Sequence, residues 1–219
     1  GRKLLVYAEQ GLGDQIMFAS CLPDLLPQVA ACMIECAPQL VPIFKRSFPA
    51  AAIESEGQGD ANLARLAQSA GLDCQVAIGS LPGHLRRKST DFPQHAGYLQ
   101  AAPARVAYWK QRLDALGPGL KVGISWSGGA PSTRGESRSL PLAEWSPILA
   151  QPACHFVSLQ YGRAGDDQQA ASQQQRVTIH AWREAIENYA ETAALVAALD
   201  LVISVQTALI HLTGALGKP

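Results

Sequence analysis

The chain has 219 residues, of which 47% are hydrophobic and 16% are charged, a balance that favours a packed core over disorder. Lysine plus arginine and aspartate plus glutamate each number 18, so the formal net charge is zero. No basic field exists to attract nucleic acid, and we expect no nucleic-acid partner.

The cysteines and the first residues of the chain indicate its cellular compartment. Five cysteines cannot all pair, and although Cys32 and Cys36 would share one face of a strand, no second pair or histidine cluster completes a zinc site. A reduced, cytoplasmic chain without a bound metal is predicted. The chain starts directly with a strand pattern instead of a signal peptide. The uncharged segment after Asp200 is too short and too polar to span a membrane.

Apolar runs typical of buried strands alternate with helical patterns along the whole chain. The predicted strands are, in chain order, residues 4–8, 32–36, 75–78, 122–126, 155–159, 177–180 and 201–205. The predicted helices are residues 15–26, with a break at Pro23, then 40–48, 61–70, 104–116, 142–149 and 189–198. This alternation predicts an α/β fold with parallel sheets.

A cluster of helix and strand breakers, Gly117-Pro118-Gly119, separates two halves of similar design. We therefore predict one domain of residues 1–117 and a second of residues 118–219. The pattern stops at Pro219, where an α/β chain would begin another strand, so we expect either that the second domain is truncated, with an incomplete sheet, or that its sheet ends on an unprotected edge.

The loop after the first predicted strand has the sequence EQGLGDQI. Gly11 and Gly13 allow a tight turn and a close approach of the backbone to a ligand. A dinucleotide-binding loop would have a third glycine at Ile16, so NAD binding is not predicted. Asp14 is either the N-cap of the next helix or a general base at the rim of the sheet, and Glu9 is the reserve candidate for that base.

The loop after the fourth predicted strand is rich in glycine and serine and carries Ser127, Arg134 and Arg138. A P-loop would have lysine and serine or threonine where Ala130 and Pro131 stand, so an ATPase is not predicted. Small residues with a guanidinium group suit an anion, because arginine offers a planar fork of donors. A surface loop with solvated arginines is the alternative interpretation.

The last predicted strand stops at Gln206, and a helical pattern runs from Thr207 to Gly217. Unpaired N–H groups at a helix start, together with the helix dipole, suit a phosphate. His211 lies four residues after Thr207 and so shares its helix face. A core or capping histidine is the alternative. Without an Asp-x-Asp pair to chelate a metal, a diphosphate here would be neutralised by basic side chains and helix ends.

Two weaker candidates complete the survey. Residues 158–162 end a strand where a nucleotide base could be contacted, although an ordinary strand end is the simpler interpretation. Glu191 and Thr192 could line a pocket near the start of an alanine-rich helix, which is most simply a core helix.

Five segments resemble the glycosyltransferase domain that many bacteria fuse to tetratricopeptide repeats, a domain similar to the ADP-heptose:lipopolysaccharide heptosyltransferase family. The segments are AEQGLGDQIMFASCLPDL at 8–25, KVGISWSGG at 121–129, SRSLPLAEW at 137–145, HFVSLQYG at 155–162 and ETAALVAALDLVISVQTALIHLTGALGKP at 191–219. The resemblance implies a GT-B architecture, in which two Rossmann-like domains face a cleft, without an essential metal or cofactor.

The resemblance also implies roles for individual residues. Asp14 would deprotonate the acceptor hydroxyl, Arg138 would contact the donor diphosphate, and Thr207 and His211 would bind phosphate at the helix start. Heptosyltransferase-like sequences commonly have aspartate where this chain has Gln206, which keeps hydrogen bonding but loses the charge.

We therefore predict a metal-independent, inverting glycosyltransferase that moves a sugar from a nucleotide-diphospho-sugar to a hydroxyl of a protein, lipid or glycan. One alternative is an inactive GT-B-like nucleotide-binding or scaffold module, which Gln206 favours. The other is a nucleotide-sugar epimerase, which needs several carboxylates around the sugar, whereas only Glu9 and Asp14 are at hand.

Overall fold

The computed structural model describes residues 1–57, 71–94, 96–128, 138–161 and 177–219. Two compact units are present. The N-terminal unit comprises Gly1–Gln100 with Ala215–Gly217, and the C-terminal unit comprises Ala101–Gly214 with Lys218–Pro219.

The N-terminal unit contains a parallel sheet with the strand order β3-β2-β1-β4. Its strands are β1 Lys3–Tyr7, β2 Ala31–Cys36, β3 Ala52–Ser55 and β4 Cys74–Ala77. Its helices are α1 Leu12–Phe18, α2 Leu22–Leu25, α3 Val41–Ser47 and α4 Leu81–Leu85. Leu5 and Val6 of β1 and Ile34 of β2 are fully buried, as expected for parallel strands covered on both faces.

The C-terminal unit contains a second parallel sheet with the equivalent order β7-β6-β5-β8. Its strands are β5 Leu120–Ser125, β6 Cys154–Ser158, β7 Ile179–His180 and β8 Leu201–Ser204. The helices after Gln100 are α5 Pro103–Asp114, α6 Ser146–Leu149, α7 Arg183–Glu187, α8 Tyr189–Ala198 and α9 Ala208–Ala215. Short 3₁₀ segments in the chain cover Ala19–Cys21, Leu26–Gln28, Ile78–Ser80, Ser89–Asp91 and Leu142–Trp145.

All seven predicted strands are present, and the structure adds β3. Only Ile53 of that strand is buried, so its sequence shows neither an apolar run nor a clean alternation. The predicted helix 15–26 begins earlier, at Leu12, and is interrupted by the 3₁₀ segment Ala19–Cys21. The expected break at Pro23 is wrong, because Pro23 lies in the first turn of α2, where proline is tolerated. The predicted helix 61–70 lies outside the described residues.

The compact units divide after Gln100, whereas the sequence indicated a boundary at residues 117 and 118. The difference arises because α5 packs against α8 and buries Trp109 and Leu113 within the C-terminal unit. The glycines of the breaker sequence form the turn into β5 instead, with φ values of +94° at Gly117 and +117° at Gly119.

No helix in the described part of the chain is long and apolar enough to cross a membrane.

The contact between α5 and α8 depends on one half-buried carboxylate. Glu191 accepts hydrogen bonds from Arg105 Nε at 2.8 and 3.0 Å and from the indole Nε1 of the fully buried Trp109 at 2.9 Å. The expectation that Glu191 lines a pocket is therefore wrong, because its oxygens are engaged in packing two helices.

Replacing Glu191 with alanine should lower the free energy of unfolding by about 1–3 kcal/mol, because the buried indole N–H loses its acceptor. Glu187→Ala is the matched control, since Glu187 pairs with Arg183 at the surface and its loss should change stability by less than about 0.5 kcal/mol. Urea denaturation measures both values. Equal stabilities of the two variants would contradict this role of Glu191.

Candidate functional site

In the N-terminal unit, the strand order reverses at β1, whose neighbours are β2 on one side and β4 on the other. Ligands of open α/β sheets bind at such a switch point, outside the carboxyl ends of the strands. Here Glu9, which follows β1, accepts a hydrogen bond from the amide of Gly79, which follows β4, at 3.2 Å. A Cβ on Gly79 would lie 2.5 Å from Glu9 Oε1, so any other residue there would displace the end of the Glu9 side chain.

Asp14 is the third residue of α1, and the N-cap is Gly11, so the N-cap interpretation of Asp14 is wrong. The first helical turn closes earlier because Gln15 N donates to Gly11 O at 3.0 Å. The Asp14 side chain is half-buried and forms no hydrogen bond or ion pair with the described residues. This carboxylate at the switch point is therefore available to a ligand.

The two glycines of this loop do not provide an unusual backbone conformation. Neither Gly11 nor Gly13 has a positive φ, and Gly13 lies within α1. Residues 8–11 connect β1 to α1 without a positive φ, and Gly11 leaves room for the carboxylate, because a Cβ there would lie 3.3 Å from Asp14 Oδ2.

A buried glutamine that the sequence analysis did not single out holds this loop. Gln15 is 2% exposed, its Nε2 donates to Gln10 O at 3.0 Å, and its Oε1 accepts from Ala37 N at 2.8 Å. The side chain thus ties the loop after β1 to the residue that follows β2.

In the C-terminal unit, the strand order reverses at β5, between β6 and β8. The loops after β5 and β8 meet there: a Cβ on Gly128 would lie 2.4 Å from Thr207 Cγ2. Ser127 Oγ lies 3.1 Å from Ser139 Oγ, which also accepts a hydrogen bond from Gly128 N at 3.2 Å. Ser127 and Thr207 of the predicted donor site are therefore brought to one switch point.

Thr207 immediately precedes α9. Its Oγ1 accepts from Leu209 N at 3.3 Å and its carbonyl accepts from Ile210 N at 3.2 Å, as in an N-cap. The amides of residues 206–208 form no hydrogen bonds with the described residues. Three successive free donors at a helix N-terminus form a site suited to an anion.

The remaining predicted donor residues surround this helix start. His211 follows Thr207 on the same face of α9, is half-buried, and makes no side-chain hydrogen bond with the described residues. The Gln206 side chain is exposed. The Arg138 carbonyl lies 3.5 Å from the Cβ position of Gly128, so the backbone of Arg138 is beside the same loop. Arg134 lies outside the described residues.

The loop after β5 has a second support that sequence reasoning missed, the side chain of Gln160. Its Oε1 accepts from Trp126 N at 3.0 Å and Ser127 N at 2.9 Å, and its Nε2 donates to Ser127 O at 2.8 Å. Gln160 lies in the segment 158–162 that was considered for base contact, and its carboxamide is engaged with the protein backbone instead.

Thr192 is fully buried, so the expectation that it lines a pocket is also wrong. Its hydroxyl donates to Ala185 O at 2.6 Å and accepts from the Tyr161 hydroxyl at 2.7 Å. Burial raises the pKa of Tyr161 to about 12. The Tyr161 hydroxyl therefore remains neutral, and the Thr192 hydroxyl serves the packing of α8.

The cysteines form no disulfide bonds with one another. All five are free thiols, and burial raises the pKa of Cys32 to about 11 and that of Cys36 to about 12, so these two thiols stay protonated. Within the described ranges, no three His, Cys, Asp or Glu side chains group together as metal ligands.

A cavity of about 490 Å³ lies at the opposite, N-terminal edge of the second sheet, where its lining includes Asp114, Gly119, Lys121 and Asp200. Lys121 is buried and its Nζ donates to the carbonyls of Gly117 and Gly119. This ammonium group is occupied by the turn before β5, and the exposed Lys110, which also lines the cavity, pairs with Asp114 at 3.3 Å.

Comparison with known proteins identifies the fold. No family model matches the chain. Protein FlbA of Caulobacter vibrioides is 34% identical over 232 residues, a match that covers 100% of this chain and 39% of that protein. The chain thus spans well under half of this relative's length.

Two solved glycosyltransferase structures match nearly the whole chain. The glycosyl transferase family 9 protein from Veillonella parvula has a TM-score of 0.74 at 10% identity, covering 100% of this chain and 80% of that one. E. coli ADP-heptose lps heptosyltransferase II has a TM-score of 0.65 at 15% identity, covering 99% and 83%. The chain therefore has the two-sheet α/β fold of GT-B-like heptosyltransferases.

Gly128→Ala should lower the free energy of unfolding by about 1–3 kcal/mol, because its methyl group would overlap Thr207 Cγ2. Gly214→Ala is the control in α9, where a Cβ meets nothing within 4 Å and should stabilise the helix by up to about 1 kcal/mol. Chemical denaturation compares the variants. A Gly128→Ala protein as stable as wild type would show that the two loops do not touch.

Proposed function

We propose that the chain is a glycosyltransferase domain that binds a nucleotide-diphospho-sugar at the switch point of its C-terminal unit. The free amides of residues 206–208, at the start of α9 and beside Gly128, are the observation that carries this proposal. They offer hydrogen bonds and a positive dipole end to a diphosphate. The fold shared with an ADP-heptose transferase supports a nucleotide sugar as the ligand.

The proposed reaction uses Asp14 as general base. Its carboxylate takes the proton as the acceptor O–H bond breaks and the oxygen bonds to the anomeric carbon. The bond from that carbon to the diphosphate oxygen breaks, and its electrons leave with the nucleoside diphosphate. Attack from the opposite face inverts the anomeric configuration. Asp14 suits this role because no described group competes for its oxygens.

Leaving-group stabilisation is proposed without a metal ion. The amides of residues 206–208, the Thr207 hydroxyl, the Arg138 guanidinium and the His211 imidazole would share the charge that develops on the diphosphate. Ser127 would add a hydroxyl donor. Donors fixed in advance of the reaction stabilise such charge effectively, and loss of one typically costs on the order of 3 kcal/mol of barrier.

The alternative is a nucleotide-binding or scaffold module with this fold but without transfer activity. Gln206 favours it, because a neutral side chain stands beside the proposed phosphate site where the resemblance implies aspartate. A module of this kind would bind the nucleotide and leave the sugar in place. Donor titration combined with product analysis therefore separates the two functions.

The partners and location of the protein belong to the same proposal. The acceptor would be a hydroxyl of a protein, lipid or glycan, the longer protein would carry tetratricopeptide repeats, and the reaction would occur in the cytoplasm. The match to 39% of the length of Protein FlbA is consistent with this domain forming part of a larger chain.

Asp14→Asn should lower turnover by about 10²–10⁴-fold while leaving donor affinity unchanged, because only the proton acceptor is lost. Turnover is measured by release of nucleoside diphosphate from ADP-, GDP- and UDP-sugars, and affinity by calorimetry.

The control for Asp14→Asn is Asp73→Asn. Asp73 accepts a hydrogen bond from Lys3 N at 2.7 Å, at the opposite edge of the same sheet, and asparagine can still accept it. Wild-type turnover in Asp14→Asn would remove Asp14 from the mechanism. Absence of binding by the wild-type protein to every nucleotide sugar would refute the proposed function itself.

A further inference from the structure

The carboxamide of Gln160 forms hydrogen bonds with both the backbone N–H and the carbonyl of Ser127, in the loop after β5. Its Oε1 accepts from Ser127 N at 2.9 Å while its Nε2 donates to Ser127 O at 2.8 Å. The same oxygen also accepts from Trp126 N at 3.0 Å and from Ser125 Oγ at 3.2 Å. The backbone of Ser127 is therefore fixed from both sides by one side chain.

A carboxamide is needed for this arrangement because it combines an acceptor and a donor at one end. Glutamate would keep the acceptor and lose the donor, and methionine would lose both. Gln160 and Ser127 are far apart in sequence, because Gln160 follows β6 and Ser127 follows β5.

The fixed loop carries two groups of the proposed donor site. Ser127 presents its hydroxyl, and the next residue, Gly128, sits against the methyl group of Thr207. A shift of the Ser127 backbone would move Gly128 relative to Thr207, which immediately precedes the helix with the free amides. Gln160 thus affects the contact between Gly128 and Thr207, beside the proposed phosphate site, although its own side chain is not one of the free donors.

In the N-terminal unit a glutamine links the corresponding strand ends, although Gln15 lies on α1, after the central strand, and not after the neighbouring strand. Gln15 joins the loop after its central strand β1, through Gln10 O, to Ala37 N after the neighbouring strand β2. In the C-terminal unit, Gln160 joins the loop after the central strand β5 to the end of the neighbouring strand β6. A glutamine linking equivalent strand ends in two sheets indicates that each holds the loop at its switch point.

We propose that Gln160 is a positioning residue for the donor diphosphate, acting through the backbone of Ser127 and Gly128. This inference rests on the proposed nucleotide-sugar binding and deepens it. Gln160 affects the affinity for the diphosphate part of the ligand, because the loop that Gln160 holds contacts Thr207 at the start of α9.

Calorimetric titration of ADP, GDP and UDP, and of the matching free nucleosides, tests this role in wild-type, Gln160→Met and Gln160→Asn proteins. Asparagine stays neutral and polar but is one methylene too short to reach both groups of Ser127. Titrations are made at a temperature where circular dichroism shows every variant folded. Gln151→Met is the control, because exposed Gln151 bonds only to nearby Pro147 O, at 2.9 Å.

We expect both Gln160 variants to bind the preferred nucleoside diphosphate about tenfold more weakly, with nucleoside affinity and the Gln151→Met protein unchanged. A purely structural role would leave the diphosphate affinity of the folded variants intact, and that result overturns the inference. Equal weakening toward nucleoside and diphosphate also overturns it. If the wild-type protein binds none of the three nucleotides, the proposed function fails first.

Discussion

The order of strands is the constraint on which both candidate sites depend. In each unit the first strand lies inside the sheet, with the second and third strands on one side and the fourth on the other. Because all strands are parallel, the loops after the first and fourth strands leave from the same edge in diverging directions. The crevice between them is where Glu9 meets Gly79 in one unit and Gly128 meets Thr207 in the other.

At these crevices the two units present different chemical groups. The first presents carboxylates, with Asp14 left without a hydrogen-bond partner among the described residues. The second presents hydroxyl groups and the free amides of residues 206–208, which suit an anion. The proposed sugar transfer needs a base that accepts a proton from the acceptor and an electropositive site that binds the diphosphate of the donor. The first group suits the base, and the second suits the diphosphate site.

The parts of the structure that the sequence predicts well are those encoded by local pattern. The run of residues 201–205 followed by Thr207 predicts a strand and a capped helix, and β8 and α9 are found there. Helix α8 has the predicted bounds because Asn188 caps it, accepting from Ala190 N at 3.0 Å. Both features depend on neighbours within a few residues, so periodicity and capping preferences are enough to find them.

The parts that the sequence does not predict depend on distant partners. Gln15 and Gln160 are ordinary glutamines until folding brings them to backbone groups 22 and 33 residues away. Gly79 is an isolated glycine whose contact with Glu9, far earlier in the chain, arises only on folding. The N-cap alternative for Asp14 follows from a helix start expected at residue 15, whereas the backbone closes the first turn at Gly11.

A crystal structure with the bound nucleoside diphosphate is the most direct test of where the donor lies. The account predicts phosphate oxygens within about 3 Å of the backbone amides of residues 206–208, with the Thr207 hydroxyl alongside. A nucleotide seated instead in the cavity beside Lys121 and Asp200, at the opposite edge of the sheet, would contradict it.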